Sequence, residues 1–433
     1  MKVVIIILSV IMSLYLLRIF CVYFGVFYRK AVIKKLKKVK VKEYPNICIL
    51  LPALREQSIV DSTYLNFSNL KYPKEKIKVV FVTTEREEFE YKIKGQSVTT
   101  TSQLINKKLK DCPIDYMCHI HYPFEKGNKS SQLNYAIDKL LENKEIDFNT
   151  YIGVFDFDSV ISDNLLEDFA KVENLKHADI IQPVPFFLKN VSEISKQKKF
   201  FVFTHAMFQN VRALGIETFR LAFQGKHRKT PIYCMGASCF IKTKALIDTD
   251  KFPFVDDIQL GFRMLINKKK FAYLPTLVEG DLPNNLKAVL KQSIFINKGN
   301  YSTFIEVKRN LSNKDNRNIW GCLLVLWEGI SVLSQKTFLP YLILMVDIHC
   351  LATLTYIPFV ILTIIAPILH YLTGLFSMQI NNAKKVNLFT VVVGIFCSIF
   401  WPFFLTYGAL KNIQLSIKSK LTKTEIKFGK TER

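Results

Sequence analysis

The 433-residue chain offers little for covalent closure or soft-metal chemistry. Its nine cysteines, at positions 21, 48, 112, 118, 234, 239, 322, 350 and 397, form no C-x-x-C pair and show no zinc-site spacing. Their odd number and scatter argue against a disulfide framework and leave most of them as small buried hydrophobes. No G-x-G-x-x-G follows the first apolar strand, so the dinucleotide fingerprint is absent. Glu125-Lys126-Gly127-Asn128-Lys129-Ser130-Ser131 lacks the earlier glycine and the contiguous G-K-[ST] of a P-loop, which argues against an NTPase. There is no internal repeat and no low-complexity tract.

Acids are outnumbered. Lys and Arg total 60 against 36 Asp and Glu, a net charge of +24. The excess is clustered. Arg29, Lys30, Lys34, Lys35, Lys37, Lys38, Lys40 and Lys42 follow one apolar segment, and Lys411, Lys418, Lys420, Lys423 and Lys427 follow another. Basic clusters beside apolar segments attract anionic headgroups and mark the cytoplasmic side of a membrane. Membrane lipids are therefore the expected partners of this charge, and nucleic acid is not.

What is abundant is apolar. Hydrophobic residues make up 49% of the chain. Three segments, Val3 to Phe27, Tyr341 to Ile368 and Leu388 to Leu410, each reach the roughly 20 residues that a bilayer core requires. The first lacks a small-residue cleavage site and reads as a signal anchor. Arg18 inside it, and Asp347 and His349 in the second, are costly in hydrocarbon; Arg18 is expected to face protein helices or the headgroup region. The charge pattern places the amino terminus outside, the large middle region inside, and the loop around Leu372 to Val386 outside, although Lys384 and Lys385 weaken that asymmetry.

From Tyr44 onward, strand and helix patterns alternate. Strands are expected at Asn46 to Leu51, Ile77 to Thr84, Tyr151 to Asp158 and Ala178 to Gln182. Helices are expected at Ser58 to Leu70, Ser130 to Asn143 and Leu165 to Val172. Such alternation implies a mostly parallel sheet with helices on both faces. The third strand runs straight into Asp156-Phe157-Asp158. Continued as a strand, residues at i and i+2 share a face, so both carboxylates would meet one hard cation, Mg²⁺ or Mn²⁺, at the carboxyl edge of the sheet. Acids also end strands and start turns without any further role.

Five segments, in order, resemble those of membrane-bound family 2 glycosyltransferases over residues 46–301. Leu51-Pro52-Ala53-Leu54-Arg55-Glu56 is similar to the first-strand motif, and Lys126-Gly127 with Gln132-Leu133-Asn134 to the K-[GA]-x(n)-LN element. Asp156-Phe157-Asp158 falls at the D-x-D position. Met235-Gly236-Ala237-Ser238-Cys239-Phe240-Ile241-Lys242 is similar to the glycine-led strand, and Asp256-Asp257-Ile258-Gln259-Leu260-Gly261-Phe262-Arg263 to E-D-x-x-L-x-x-R.

The resemblance implies an α/β GT-A (Rossmann-like) domain at 45–310. Around it are expected an anchor at 1–28, a basic linker at 29–44, an interfacial helix region at 311–338, two transmembrane helices within 339–410 and a basic tail at 411–433. It implies inverting, metal-dependent hexosyl or N-acetylhexosaminyl transfer. The donor would be a nucleotide-diphosphate sugar, expected to be a UDP-sugar, and the acceptor a lipid-linked or glycan molecule of a bacterial cell envelope. By the same resemblance, Pro52, Glu56, Glu85, Lys126, Asn134 and Asp156 face the nucleotide-sugar, Asp158 with Asp156 holds the metal, Asp257 is the base and Asp256 orients the site. Asp256 and Asp257 are also plausible helix caps.

Two departures stand out. Strand two ends Thr83-Thr84-Glu85 rather than in paired aspartates. The processive Q-x-x-R-W motif is reduced to Gln292, with Lys298 as a candidate diphosphate contact or a solvated surface residue. A processive polysaccharide synthase and a non-catalytic membrane scaffold on a transferase fold are the alternatives.

Overall fold

The computed structural model describes residues 2–422 apart from 188, 224–229, 231, 233, 237, 314–316 and 382–384. Ala237, Lys384, Lys423 and Lys427 lie outside the described residues.

Among the described residues, eight strands form one sheet. They are β1 (Ile47–Pro52), β2 (Ile77–Thr84), β3 (Met117–Tyr122), β4 (Tyr151–Phe155), β5 (Val160–Ile161), β6 (Ile180–Phe187), β7 (Ser238–Lys242) and β8 (Phe271–Gly280). Their order is β3-β2-β1-β4-β7-β6-β8-β5. The sheet is mixed. β3, β2, β1 and β4 are mutually parallel, and β6 pairs parallel with β8. β7 runs antiparallel to both β4 and β6, and β5 antiparallel to β8.

Strand β1 shows why the sheet is covered on both sides. Cys48 and Leu50 point into one apolar cluster, while Ile47, Ile49 and Leu51 point into another. A strand buried on both faces reads as a continuous apolar run, and such strands need helices above and below. Helix Lys129–Glu142 buries Leu133, Ala136, Ile137 and Leu140 on the first face. Helices Val60–Ser68 and Leu165–Lys176 cover the second. Three strands escape the sequence pattern. β3 carries His119 and His121 at the sheet edge, β5 is two residues long, and β8 contains Pro275 opposite a register shift between Gln182 and Val184.

Among the described residues, three helices are long and apolar enough to cross a membrane: Lys2–Leu36, Ile357–Ile380 and Leu388–Leu415. The expected span from Tyr341 to Ile368 is two helices, Leu339–Ala352 and Ile357–Ile380. The chain breaks between them because Leu354 and Tyr356 take a left-handed φ of 52°, and Pro358 in the next first turn has no amide to continue a helix. Helix Leu339–Ala352 instead forms a bent pair with Ile319–Lys336, at 48°. The latter buries Cys322, Val325, Glu328 and Val332 and leaves Trp320 and Trp327 exposed.

The first helix does more than anchor. Its Gly25 lies so close to a π-helical turn, Val211–Glu217, that a Cβ there would collide with the Leu214 carbonyl oxygen. Gly215 on the turn would meet the Val22 backbone in the same way. Gly25→Leu should therefore destabilise the protein by about 1–3 kcal/mol through overpacking. Thermal unfolding in lipid nanodiscs would register this as a clear fall in Tm; an unchanged Tm would refute the contact.

Candidate active site

Parallel pairing brings the carboxyl ends of β1, β2 and β4 together, and antiparallel β7 begins beside them. Phe155 at the end of β4 pairs with Ser238 at the start of β7. Asp156 and Gly236 therefore meet at one sheet edge. The strand stops at Phe155, however, and the Ser159 amide closes a turn on the Asp156 carbonyl at 2.9 Å. Asp156 and Asp158 thus sit in a turn, and the i, i+2 strand argument for their shared direction does not hold.

Lys129 organises this edge. It is the first residue of helix Lys129–Glu142, whose start is fixed by a reciprocal Asn128–Ser131 capping box. Its Nζ lies 2.9 Å from Asp156 Oδ1, 2.9 Å from Asp256 Oδ2 and 3.4 Å from the Gly236 carbonyl. Burial works against the ammonium, but the two carboxylates outweigh it and hold its pKa above the ordinary lysine value. Lys126, which the family resemblance points to, also lines the cavity. The missed signal was Asn128, which determines which lysine opens the helix.

Asp257 is the other central group. Its Oδ1 accepts the Ile258 amide at 2.5 Å, capping helix Ile258–Ile266. A Cβ on Gly236 would fall 2.6 Å from Asp257 Oδ2, so only glycine permits this approach. Burial, then the charge of Asp256, pushes the Asp257 carboxyl up to about 7. A carboxylate poised near neutrality is suited to accept a proton.

Pro52, Glu56, Lys126, Asp156, Asp158, Asp256, Asp257 and Gln292 all line one cavity of about 2220 Å³. Glu85, Asn134 and Lys298 are not among its lining residues. Glu85 binds His121 at 3.0 Å. Asn134 holds the Phe252 backbone through two hydrogen bonds, 2.9 and 3.0 Å, and so steadies the segment that carries the acid pair. Lys298 stacks its ammonium 3.5 Å from the Phe254 ring. Glu87, which sequence reasoning passed over, is buried. It accepts from the Arg55 amide at 2.9 Å, Gln57 Nε2 at 2.8 Å and the Thr101 amide at 2.9 Å, shaping the loop after β1.

Asp158 is buried, with Oδ2 3.4 Å from the Asp281 amide, and its carbonyl accepts from Lys189 at 3.1 Å. No group of three or more His, Cys, Asp or Glu side chains forms a metal cage among the described residues. Mg²⁺ and Mn²⁺ do not require one, since one or two carboxylates plus substrate phosphates suffice, and the oxygen donors here fit that chemistry.

A family model, glycosyltransferase like family 2, matches residues 45–294, more than half of the chain. The chain belongs to this family. It is a glycosyltransferase of the GT-A kind, with a mixed α/β sheet and helices able to span a membrane. No curated protein matches the chain. Among solved structures, mannosyltransferase PcManGT from Pyrobaculum calidifontis, in complex with GDP-Man and Mn2+, is 12% identical, with 93% of this chain and 99% of that one covered and a TM-score of 0.48. S. aureus TarS in complex with UDP-GlcNAc is also 12% identical, with 77% and 89% covered and a TM-score of 0.39.

The glycosyltransferase should show the Asp257 titration in its stability. An unfolded aspartate titrates near 3.9, whereas the native carboxyl titrates near 7. The native state therefore binds the extra proton between those values, and the Asp257 contribution to stability declines as pH rises from about 4 to about 7. Asp257→Asn should abolish that decline and raise Tm at pH 8 relative to wild type. Parallel Tm–pH curves for the two proteins would remove Asp257 as the titrating group.

Proposed function

We propose that this glycosyltransferase moves a sugar, with inversion, from a nucleotide-diphosphate sugar, in the first instance a UDP-sugar, to a membrane-associated lipid or glycan acceptor. The observation that carries the reading is the Asp257 carboxylate, fixed at the start of its helix against Gly236 in the cavity that also contains the Lys129-bridged acids. Pro52, Glu56, Lys126 and Asp156 would border the donor. Asp158 with Asp156 would hold Mg²⁺ or Mn²⁺, which when bound neutralises charge on the departing diphosphate. Asp257 would take the proton of the acceptor hydroxyl, and Asp256, tied to Lys129, would keep its neighbour in place. Glu85, Asn134 and Lys298 would act from outside the cavity wall, steadying it rather than touching donor.

The same cavity reaches the membrane helices, with Trp401, Ile343 and Tyr15 in its wall. This supports an acceptor delivered from the bilayer, in cell-envelope or surface polysaccharide synthesis in a bacterial membrane. It also favours a second reading, a processive synthase; high-molecular-weight product without a lipid-linked product would establish it. We place the globular domain in the cytoplasm, because the Arg29 to Lys42 cluster follows the first helix.

Asp257→Asn should slow transfer by roughly 10²–10⁴-fold while leaving nucleotide-diphosphate affinity unchanged, measured by donor turnover and calorimetry in nanodiscs. Normal transfer would place the base elsewhere. Asp158→Asn should remove Mn²⁺ binding, read by calorimetry in the presence of nucleotide diphosphate, without changing Tm by more than a few degrees; retained Mn²⁺ affinity would reject the assignment. Exposed Cys112 in the globular domain should react with an impermeant maleimide only after cells are opened. Labelling of intact cells would invert the topology.

A further inference from the structure

The membrane end of the cavity is lined by charge that the transfer chemistry does not use. Arg18 of the first helix, Arg212 and Arg220 of the turn and helix around Val211–Phe223, and Lys336 at the end of helix Ile319–Lys336 all border it. Two acids lie among them. Glu328 accepts both Nη atoms of Arg220, at 3.0 and 2.6 Å, and lies 3.7 Å from Arg212. Glu217 lies 3.3 Å from Arg220 and 3.5 Å from Arg212. Both acids are buried and engaged with these arginines. Arg18 and Lys336 are half-buried, and among the described residues neither makes an ion pair or hydrogen bond. Each lies within electrostatic reach of Arg212 and Glu328. His205, bonded to Gln292 at 3.4 Å, lies within electrostatic reach of Lys336, His370 lies within reach of Arg18, and Asp347 is tied to Thr363 at 2.9 Å.

Among the described residues at this end, Arg18, Arg212, Arg220 and Lys336 stand against Glu217, Glu328 and Asp347, an excess of positive charge in a cavity walled by apolar helices that an anionic ligand would compensate. We infer that Arg18 and Lys336, with Arg212 beside them, form a binding site for a phosphate ester at the membrane end of the cavity, so that the acceptor is held by its phosphate while the remainder extends along the same cavity towards Asp257. Guanidinium and ammonium groups are the side chains that bind phosphate oxygens through charge-assisted hydrogen bonds. Arg220 is the internal counter-ion of Glu328 and Glu217 and serves the packing of the site. The inference rests on the glycosyltransferase reading for its purpose, and on the cavity and its ion pairs for its substance.

The test is equilibrium binding to the full chain in neutral-lipid nanodiscs, with nucleotide-diphosphate affinity measured in parallel. Farnesyl phosphate, farnesol and inorganic phosphate are the probes. Farnesyl phosphate should bind, farnesol should bind at least about tenfold more weakly, and Arg18→Gln and Lys336→Gln should each weaken farnesyl phosphate by at least about tenfold, with Lys336→Arg restoring affinity. Inorganic phosphate matching farnesyl phosphate, with the same loss in both variants, would assign the site to a soluble phosphate ester. Farnesol matching farnesyl phosphate, or charge variants that bind like wild type, would overturn the inference. Retained nucleotide affinity in those variants shows that the fold is intact; loss of nucleotide binding by the wild type would instead count against the transferase reading.

Discussion

One ammonium holds the acid-lined edge of the sheet together. Lys129 reaches from the start of its helix to an acid after β4 and an acid before helix Ile258–Ile266, three parts of the chain distant in sequence. Without it, Asp156, Asp256 and Asp257 would be three like charges converging on one partly buried place. Their mutual repulsion and desolvation would disperse them. With it, two are paired and the third is left to carry the unfavourable charge. The raised carboxyl of Asp257 is therefore a product of the same arrangement that allows the edge to exist.

That arrangement explains which parts were legible in the sequence. Strands β1, β2, β4 and the start of β6 announce themselves as apolar runs, because a strand covered on both faces has no polar alternation to blur it. The D-x-D pair was legible as two acids after an apolar run but not as geometry, since nothing in Tyr151 to Ser159 tells a strand that continues from one that turns at Phe155. Lys129 was hidden among neighbouring lysines. Its reach depends on where the helix begins, and that is decided by a hydrogen-bonded cap rather than by a pattern of residue types. The split of the second apolar segment was hidden because Leu354 and Tyr356 look like span residues while adopting a turn conformation.

Charge buried among the membrane helices was legible only as an oddity. Arg18 interrupts an otherwise apolar run, and sequence alone gives its cost but not its company. The structure supplies the company: residues from the π-helical turn and from helix Ile319–Lys336, more than 190 positions further along the chain than Arg18. Contacts of that range arise from topology, and no local window contains them.

The close approach of Gly25 to the Leu214 carbonyl gives the first helix a second role. Its side chains at Tyr15 and Arg18 border the cavity, and its backbone rests directly on the turn that carries Arg212. The helix is a wall of the cavity as well as a tether. A bilayer of altered thickness that tilts this helix would reshape the cavity itself, so its shape depends on the lipid surroundings, and a fragment freed of its first helix would have a cavity open on one side.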